Sequence, residues 1–309
     1  MSQPYEPSDT TSDEPGHEPR ETQTPASGLS IRNLTVTYNT ESGPLPIIRS
    51  VSMHIRPGDI YGLVGESGSG KTTLARAVVR YLPDNGNIDS GEIWLDDTAL
   101  HKLSPAEMRR VWGSKITMVH QDPNKAVNPS LVVGEQIAEI ARTHLNMSKT
   151  KAWDKAIEML TSVRMADPES VAKRYPHQLS GGQLQRVLIA IALTTTPRRL
   201  IMDEPTTALD VTTEAVILDL VRDLLAEYNT AVLFITHNLG VVARLCHRVG
   251  VIYTGEMMEE GSVHQVFKEM RHPYTLGLLG SVPRIDKDKR DIVLNTIPGF
   301  IPRCDNLPP

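Results

Sequence analysis

The chain has 309 residues, of which 39% are hydrophobic and 5% aromatic, and its formal net charge is −5. This length allows one large α/β domain with appendages or two small domains, and it suffices to bury a core. No apolar run approaches the roughly 20 residues that span a bilayer, and the polar, acidic start of the chain lacks the pattern of a secretory signal. We therefore expect a protein of the cytoplasm that reaches a membrane only through a partner.

The negative charge is concentrated at the start of the chain. Residues 1–28 contain six acids against one base, whereas the remaining 31 acids and 31 bases cancel. This segment is rich in Pro, Ser, Thr and acidic residues and cannot bury enough apolar surface to offset its ordering entropy, so we predict a disordered tail. The neutral body has no basic stripe, which argues against nucleic acid as the main partner.

The first elements after the tail follow the pattern of β-strands. Residues 29–38 and 47–55 alternate between apolar and polar side chains, and the stretch 40–46 between them is typical of a turn. We expect these early strands to form a separate antiparallel layer.

Strands and helices alternate through the middle of the chain. Short apolar runs predict buried strands at 60–65, 116–121, 199–204 and 231–237. Helical patterns cover 71–82, 181–195 and 212–228. This alternation predicts an α/β fold with a largely parallel sheet.

Two regions interrupt the alternation. Residues 134–177 are mostly helical in pattern and are predicted to form an inserted helical subdomain. Residues 263–309 contain one helical stretch and then become Pro-rich and irregular. The predicted division is a tail at 1–28, a main domain at 29–262 and a short C-terminal extension at 263–309.

A glycine-rich loop lies between the first buried strand and the helix that follows it. Residues 65–72, GESGSGKT, fit the pattern G-x-x-x-x-G-K-[ST] without a mismatch. Its glycines let successive backbone N–H groups turn inward around phosphate oxygens, while Lys71 would contact the outer phosphates and Thr72 would ligate Mg²⁺. A chance match is the alternative, but the flanking strand and helix favour a phosphate site. The predicted phosphate-site residues are Gly65, Glu66, Ser67, Gly68, Ser69, Gly70, Lys71, Thr72 and Thr73.

The strand predicted at 199–204 ends in two acids. A strand that is buried on both faces can end in carboxylates only where they meet a metal or water. Asp203 suits a second contact to Mg²⁺, and Glu204 suits a general base that polarises an attacking water. The alternative is that both acids merely cap the next helix. The presence of a phosphate loop in the same chain makes this alternative less favoured.

The motif LSGGQ, residues 179–183, directly precedes a helical pattern. Ser180 is a good helix N-cap, and the two glycines expose amides at the positive end of the helix, which makes an anion site. An ordinary capped helix would give the same pattern. In its place between the phosphate loop and the Asp-Glu strand end, however, this motif resembles the signature of ABC ATPases.

The resemblance to ABC ATPases covers residues 29–309 and implies ATP and Mg²⁺ as ligands of a P-loop domain at 29–262. It implies that Tyr38 stacks on adenine, that Gln121 contacts Mg²⁺ and water, and that His237 contacts the γ-phosphate. Lys71, Gln121, Glu204 and His237 would serve catalysis. A lone Gln or His is usually a surface or satisfied core residue, and a lone Tyr more often serves packing, but here Tyr38, Gln121 and His237 occur together and in the family's order.

The same resemblance implies that two subunits face each other head to tail. ATP on the phosphate loop of one subunit would be closed over by the signature residues of the other. The residues expected to face the partner's nucleotide are Ser180, Gly181, Gly182, Gln183 and Asp210. Four other histidines are expected to be structural: His120, His177, His247 and His272.

Three stretches are similar to the ATPases that drive uptake of oligopeptides, dipeptides or nickel: 101–129, 271–284 and 296–309. This subfamily implies a heterodimer of two ATPase subunits, two transmembrane permeases and an extracytoplasmic solute-binding protein, with the ATPases on the cytoplasmic face of the cell membrane. A homodimer is the alternative. Peptide is the expected solute, while nickel and short oligosaccharides remain open.

Other ABC classes fit the sequence less well. ATPases of chromosome maintenance and DNA repair place long coiled coils between the phosphate loop and the signature, whereas no sustained heptad pattern fills the short gap here. Translation-associated members carry two cassettes, and this chain has one set of motifs. An exporter ATPase is harder to exclude, and only the three peptide-uptake stretches argue against it.

The two cysteines do not form a disulfide framework. Cys246 lies in an apolar stretch and is predicted to be a small buried hydrophobe. Related ATPases often continue into a cysteine-bearing tail that can hold an iron–sulfur cluster, which usually takes four thiolates. Cys304 is a single thiol, so we expect no cluster in this sequence; either the protein lacks that site or the chain was shortened.

Overall fold

The computed structural model describes residues 27–207 and 209–281. The predicted tail at 1–28, apart from its last residues, therefore lies outside the described residues, as do Ala208, Cys304 and the Pro-rich stretch. The domain boundaries predicted at residues 28 and 262 stay predictions.

The strands form two sheets. The smaller sheet contains β1 (Leu29–Thr40), β2 (Gly43–Ile55), β4 (Gly86–Leu95) and β5 (Thr98–Ala99). The larger sheet contains β3 (Ile60–Val64), β6 (Ile116–Val119), β7 (Arg199–Asp203), β8 (Ala231–Thr236), β9 (Arg248–Tyr253) and β10 (Glu256–Ser262). The smaller sheet is antiparallel with the order β2-β1-β4-β5, and the larger has the order β10-β9-β3-β8-β7-β6 and is parallel except for β10. These pairings confirm the predicted parallel sheet and its separate antiparallel layer.

The helices cover the larger sheet and the intervals between its strands. They are α1 (Lys71–Val78), α2 (Pro105–Val111), α3 (Pro123–Ala126), α4 (Val133–Leu145), α5 (Lys149–Ser162), α6 (Pro168–Ala172), α7 (Gly181–Leu193), α8 (Val211–Tyr228), α9 (Leu239–Leu245), α10 (Val263–Lys268) and α11 (Pro273–Gly280), with 3-10 turns at Leu100–Lys102 and Pro176–Gln178. Helices α4, α5 and α6 occupy the interval that the sequence predicted to be helical. Within the described ranges, none of these helices has the length and apolarity needed to cross a membrane.

Two apolar clusters lie on opposite faces of the larger sheet. Along β8, Val232 and Phe234 belong to the cluster that packs against α4–α8, whereas Leu233 and Ile235 belong to the cluster beneath the smaller sheet. Successive side chains of a strand point to opposite faces, so β8 contributes to both clusters at once. Cys246 is 8% exposed, as expected of a small buried hydrophobe.

The turn between β1 and β2 is shorter than predicted. Thr40 already pairs with Gly43, so only two residues form the connection, and Pro44 and Pro46 belong to β2. Proline is tolerated there because β2 is an edge strand of the smaller sheet and need not donate on its free side.

Helix α1 also ends earlier than the predicted residue 82. Arg80 has a φ of +52°, and the backbone N–H of Tyr81 donates to the carbonyl of Arg76 at 2.8 Å. This left-handed ending turns the chain out of the helix after Val78. The apolar periodicity continues past that point and gives no sign of the ending.

The extension after residue 262 contains two described helices rather than the single predicted stretch. The carboxylate of Glu259 on β10 accepts from the backbone N–H of Arg271 at 3.0 Å and of His272 at 3.2 Å. Pro273 follows at the first position of α11. Because proline disfavours a helical residue before it but suits a helix start, a new helix begins here.

Gly255 joins the two sheets at the phosphate loop. Its N–H donates to the carbonyl of Ser69 at 3.0 Å, and its carbonyl accepts from the N–H of Arg49 on β2 at 2.8 Å. Its φ is +84°, and a Cβ at this position would lie 2.1 Å from the carbonyl oxygen of Ile47. Only glycine therefore fits without moving a backbone segment.

We expect Gly255→Ala to lower the free energy of unfolding by about 2 kcal/mol or more, because the strained φ and the backbone clash act together. Gly68→Ala is the matched control, since Gly68 has the same φ of +84° and a Cβ added there would meet no atom within 4 Å. Thermal unfolding of both variants without nucleotide measures the difference. Equal losses in the two variants would contradict a role for the clash at Gly255.

Candidate functional site

The carboxyl ends of four neighbouring parallel strands bring the predicted site residues together. The phosphate loop follows β3, Glu204 follows β7, His237 follows β8, and Gln121 lies two residues after β6. Ligands of parallel sheets bind beyond these strand ends. One cleft of about 740 Å³ lies there, lined by Tyr38, Ile47, Gly65, Glu66, Ser67, Gly68, Gly70, Lys71, Thr72, Thr73, Gln121, Glu204, Thr207, His237, Leu278 and Ser281.

The phosphate loop has the backbone shape that the glycine pattern predicts. Gly68 and Gly70 have φ values of +84° and +98°, and Gly70 is the N-cap of α1. Residues in this conformation let consecutive N–H groups face one concave surface, at the positive end of the helix. The ammonium group of Lys71 lies inside the loop, where it donates to the carbonyls of Gly65 at 2.9 Å and Glu66 at 2.8 Å.

The donor set of this loop fits a phosphate-bearing ligand. The hydroxyl of Ser69 is buried and has no hydrogen-bond partner among the residues that the structure describes. Lys71 is only 5% exposed, and its ammonium group donates to two loop carbonyls. Ser69 does not line the cleft, so an anion bound there would be held by the Lys71 ammonium and the loop N–H groups.

Lys71, which lines the cleft, and Asp203, which is hydrogen-bonded to Thr72 of the same cleft, are both buried. Burial lowers the pKa of Lys71, and the nearby carboxylates of Glu204 and Asp203 act in the opposite direction. Burial likewise raises the pKa of Asp203, while the Thr72 hydroxyl, which donates to its Oδ1 at 3.1 Å, favours the ionised form. His120, expected to be structural, lies near Asp203, and its own pKa is lowered mainly by burial.

Thr72 and Asp203 have the chemical type that Mg²⁺ ligands require. Both present oxygen atoms, which Mg²⁺ prefers, and Mg²⁺ usually binds to one or two carboxylates together with substrate phosphates and water. No group of three or more His, Cys, Asp or Glu side chains able to hold a metal occurs in residues 27–207 and 209–281.

One carboxylate oxygen of Glu204 meets three other side chains. Its Oε2 accepts from Gln121 Nε2 at 3.2 Å and from the Thr207 hydroxyl at 2.8 Å, and it lies 3.3 Å from His237 Nδ1. Glu204 has a φ of +47°, a conformation that non-glycine residues adopt rarely. These contacts fix the direction of the carboxylate, as general-base catalysis requires. Gln121, predicted to contact Mg²⁺ and water, lies against Glu204 in this structure.

Tyr38 lies at another side of the same cleft. Its hydroxyl is 3.2 Å from the hydroxyl of Thr73, and a Cβ at residue 86 would lie 2.8 Å from its ring, so Gly86 leaves room for the tyrosine. The ring lines the cleft, where it could contact a flat ligand group.

The signature residues line a different cleft of about 460 Å³. Its lining consists of Arg164, Met165, Ala166, Ser180, Gly181, Gly182, Gln183, Arg186, Leu209, Asp210 and Thr213. None of these residues lines the cleft of the phosphate loop. One chain therefore brings the loop, Gln121, Glu204 and His237 together but keeps the signature apart from them.

The signature motif has the local structure of a capped helix, and its predicted role as an anion site stays a prediction. The hydroxyl of Ser180 accepts from the N–H of Gln183 at 3.3 Å, and the Gln183 side chain accepts from the N–H of Ser180 at 3.0 Å, which is a capping box. Asp210 caps α8 in a similar way through Thr213. A Cβ at Gly182 would lie 2.7 Å from Thr213, so the glycine is needed for this close approach.

Sequence reasoning missed four residues that line the first cleft. Thr207 lies three residues after Glu204 in the turn that leaves β7, and this spacing was a usable signal. Ile47 belongs to an alternating strand pattern that says nothing about a ligand. Leu278 and Ser281 reach the cleft only because α11 folds back onto the phosphate loop, which no local pattern predicts.

The sequence of this chain matches two protein-family models. The protein-family model described as ABC transporter matches residues 48–207, which is about half of the chain. The chain belongs to the ABC transporter family. A second family model, for the C-terminal region of oligopeptide/dipeptide transporters, matches residues 258–309. The resemblance found in the sequence is thus confirmed for the ABC family and for the oligopeptide-type segment.

Curated members of the family and a solved structure cover most of this ABC chain. The oligopeptide transport ATP-binding protein AppD of Bacillus subtilis (strain 168) is 43% identical, covering 91% of this chain and 85% of that protein. The oligopeptide transport ATP-binding protein OppD of Escherichia coli (strain K12) is 42% identical, covering 91% and 82%. The dimeric post-hydrolysis state of the ATP-binding cassette MJ0796, bound to ADP and Pi, is 28% identical with a TM-score of 0.69, covering 76% of this chain and 98% of that one.

In this ABC ATPase we expect Asp203→Asn to raise the unfolding midpoint without nucleotide at pH 7 by about 2–4 °C. Burial and Glu204 disfavour the carboxylate, whereas an amide oxygen can still accept from Thr72. Because the pKa of Asp203 is raised in the folded state, its destabilising effect is fully present above that raised pKa and is lost as the pH falls from it towards the ordinary value of 3.8. The gain in unfolding midpoint should therefore be constant near neutral pH and shrink at acidic pH in thermal unfolding experiments.

Asp210→Asn is the matched control, because hydrogen bonds from Thr213 lower the pKa of this exposed carboxylate. It should give no gain in unfolding midpoint at pH 7. A loss of stability in Asp203→Asn as large as or larger than that in Asp210→Asn would show that the buried carboxylate is stabilised by its surroundings rather than penalised.

Proposed function

We propose that this chain is the ATP-hydrolysing subunit of an ABC importer for peptides. The observation that carries the proposal is one cleft lined by the phosphate loop, by Thr72, which donates to the buried Asp203, and by Glu204 with its contacts. The match of residues 258–309 to the oligopeptide/dipeptide transporter segment supports the peptide class. The same match weighs against an exporter ATPase and against a soluble ABC ATPase outside transport.

Each residue of the cleft has a role in this proposal. The loop amides and Lys71 would hold the phosphates, and Tyr38 would lie against the adenine ring. Thr72 and Asp203 would hold Mg²⁺, which when bound neutralises charge on the phosphates. Glu204 would accept a proton from the attacking water, with its carboxylate directed by Gln121 and His237.

The signature residues would act on the nucleotide of a second ATPase subunit. Their separation from the phosphate loop within one chain supports a composite site, because a head-to-tail pair would place one chain's signature over the other's loop. The solved cassette that this chain resembles is itself dimeric. We propose a heterodimer with a different ATPase subunit, and a homodimer is the alternative that the purification below distinguishes.

The remaining partners follow from the importer assignment. Two transmembrane permeases would carry the chain on the cytoplasmic face of the cell membrane, and an extracytoplasmic solute-binding protein would select the solute. The relatives named as oligopeptide transport ATP-binding proteins support peptide as that solute. If the solute were nickel or a short oligosaccharide instead, it would be found as the ligand of the co-purified binding protein.

Glu204→Gln should lower ATP turnover at this chain's site by about a hundredfold or more, because the amide cannot accept the proton from water. ATP binding should persist, since the phosphate loop and Lys71 are unchanged. Steady-state ATPase assays and nucleotide-binding titrations of the complex, prepared with a catalytically silent partner site, measure both quantities.

Glu227→Gln is the matched control for that variant, because Glu227 is an exposed carboxylate of α8 that lines neither cleft and loses the same charge. Its turnover should stay within about threefold of the parent, as expected of a carboxylate with no proton to transfer. Near-normal turnover in Glu204→Gln would refute the assignment of the base.

Affinity purification of the tagged chain from native membranes in mild detergent tests the importer assignment. Recovery of two polytopic permeases, a different ATPase subunit and a solute-binding protein is the expected result. A single ATPase species would indicate the homodimer. Recovery from the soluble fraction with ribosomes or DNA-associated proteins would overturn transport and leave the ATPase assignment standing.

A further inference from the structure

Helix α11 makes a direct contact with the phosphate loop. The hydroxyl of Tyr274 accepts a hydrogen bond from the backbone N–H of Glu66 at 3.2 Å, across 208 residues of sequence. Tyr274 is only 8% exposed, so water competes little for this bond. Burial is the main cause that raises the pKa of Tyr274 to about 12, and the hydroxyl therefore remains a neutral acceptor at physiological pH.

The peptide group that Tyr274 contacts is also held from its other side. The N–H of Glu66 and the carbonyl of Gly65 belong to the same planar peptide unit. That carbonyl accepts from the ammonium group of Lys71 at 2.9 Å, so Tyr274 and Lys71 hold opposite edges of one peptide plane. Rotation of this plane would move the Lys71 ammonium and the first turn of the loop together.

The position of Tyr274 is itself fixed by neighbouring strands. Glu259 on β10 accepts from the backbone N–H groups of Arg271 and His272, immediately before α11. The ring of Tyr274 packs against the ring of Tyr253, at the end of β9, with a centroid distance of 4.4 Å. The hydroxyl is thus presented by a side chain that is packed and by a helix whose start is anchored.

One face of α11 forms part of the cleft wall. Leu278 and Ser281 line the cleft and lie four and seven residues after Tyr274, which places all three on the same side of the helix. Leu276 lies on the other side and is 58% exposed. The side of α11 that meets the cleft is therefore the side that holds the phosphate loop.

We propose that Tyr274 is a positioning residue for nucleotide binding, which couples the C-terminal helix α11 to the phosphate loop through the Gly65–Glu66 peptide. This role rests on the proposed assignment of the cleft to ATP. Tyr274 does not touch the reacting atoms; it orients the peptide whose carbonyl holds Lys71. Its loss should weaken nucleotide binding and leave the turnover of bound ATP close to that of the parent.

The test compares Tyr274→Phe with Tyr253→Phe in the full-length chain. Both variants lose one hydroxyl and keep the packed ring, but only the first loses the acceptor for the Glu66 N–H. We expect the Kd for MgADP, measured by isothermal titration calorimetry, to rise roughly three- to tenfold in Tyr274→Phe and by less than about twofold in Tyr253→Phe. In ATPase assays of the assembled complex, KM should rise for Tyr274→Phe while kcat stays within about twofold.

The outcomes separate the alternatives. A parental Kd in Tyr274→Phe would overturn the proposal. Equal losses of affinity in both variants, accompanied by equal falls in the unfolding midpoint, would assign the effect to ring packing and overturn it as well. Failure of the parent chain itself to bind MgADP would instead refute the assignment of the cleft to ATP, and the role of Tyr274 with it.

Discussion

The parallel pairing of β3, β8, β7 and β6 is the constraint on which the rest of the molecule depends. Their registers align Val64 with Thr236, Asp203 with Ile235, and Val119 with Met202. Strands β3, β7 and β8 are buried along their whole length, so none of them can shift without exposing apolar side chains on both faces. Groups that follow these strands are therefore held at fixed separations, although more than a hundred residues lie between Thr72 and Asp203.

The fixed strand ends explain how the charged side chains of Lys71 and Asp203 can be buried next to the apolar core. Lys71 and Asp203 are both nearly inaccessible to water. Burial lowers the pKa of Lys71 and raises the pKa of Asp203, so in each case it favours the neutral form. Glu204 in addition has a positive φ of +47°, a backbone conformation that non-glycine residues rarely adopt. Such unfavourable features are common at functional sites, where the surrounding fold compensates for them. Here the free-energy cost of these features is offset by two apolar clusters, which pack on opposite faces of the same strands.

The sequence predicted the strand ends better than it predicted what folds back onto them. The phosphate loop, Asp203 and Glu204 were found because each lies at the end of a short apolar run, whereas His237 was found only through the family resemblance; parallel pairing then brings them together. The early end of α1 and the start of α11 depended on local backbone events, at Arg80 and at Pro273, which apolar periodicity does not record. Tyr274 was interpreted only as part of a subfamily segment, because its partner, the Glu66 N–H, is a backbone group that any residue could offer.

The separation of the two clefts has a genetic consequence. If two ATPase chains meet head to tail, each composite site takes its phosphate loop from one chain and its signature from the other. A damaged Lys71 and a damaged Ser180 in the same chain would then impair both sites of a heterodimer. The same two lesions, one in each chain and chosen to fall on one composite site, would leave the second site whole. Heterodimers of this design can therefore lose half of their catalytic capacity by drift and still retain one complete ATPase.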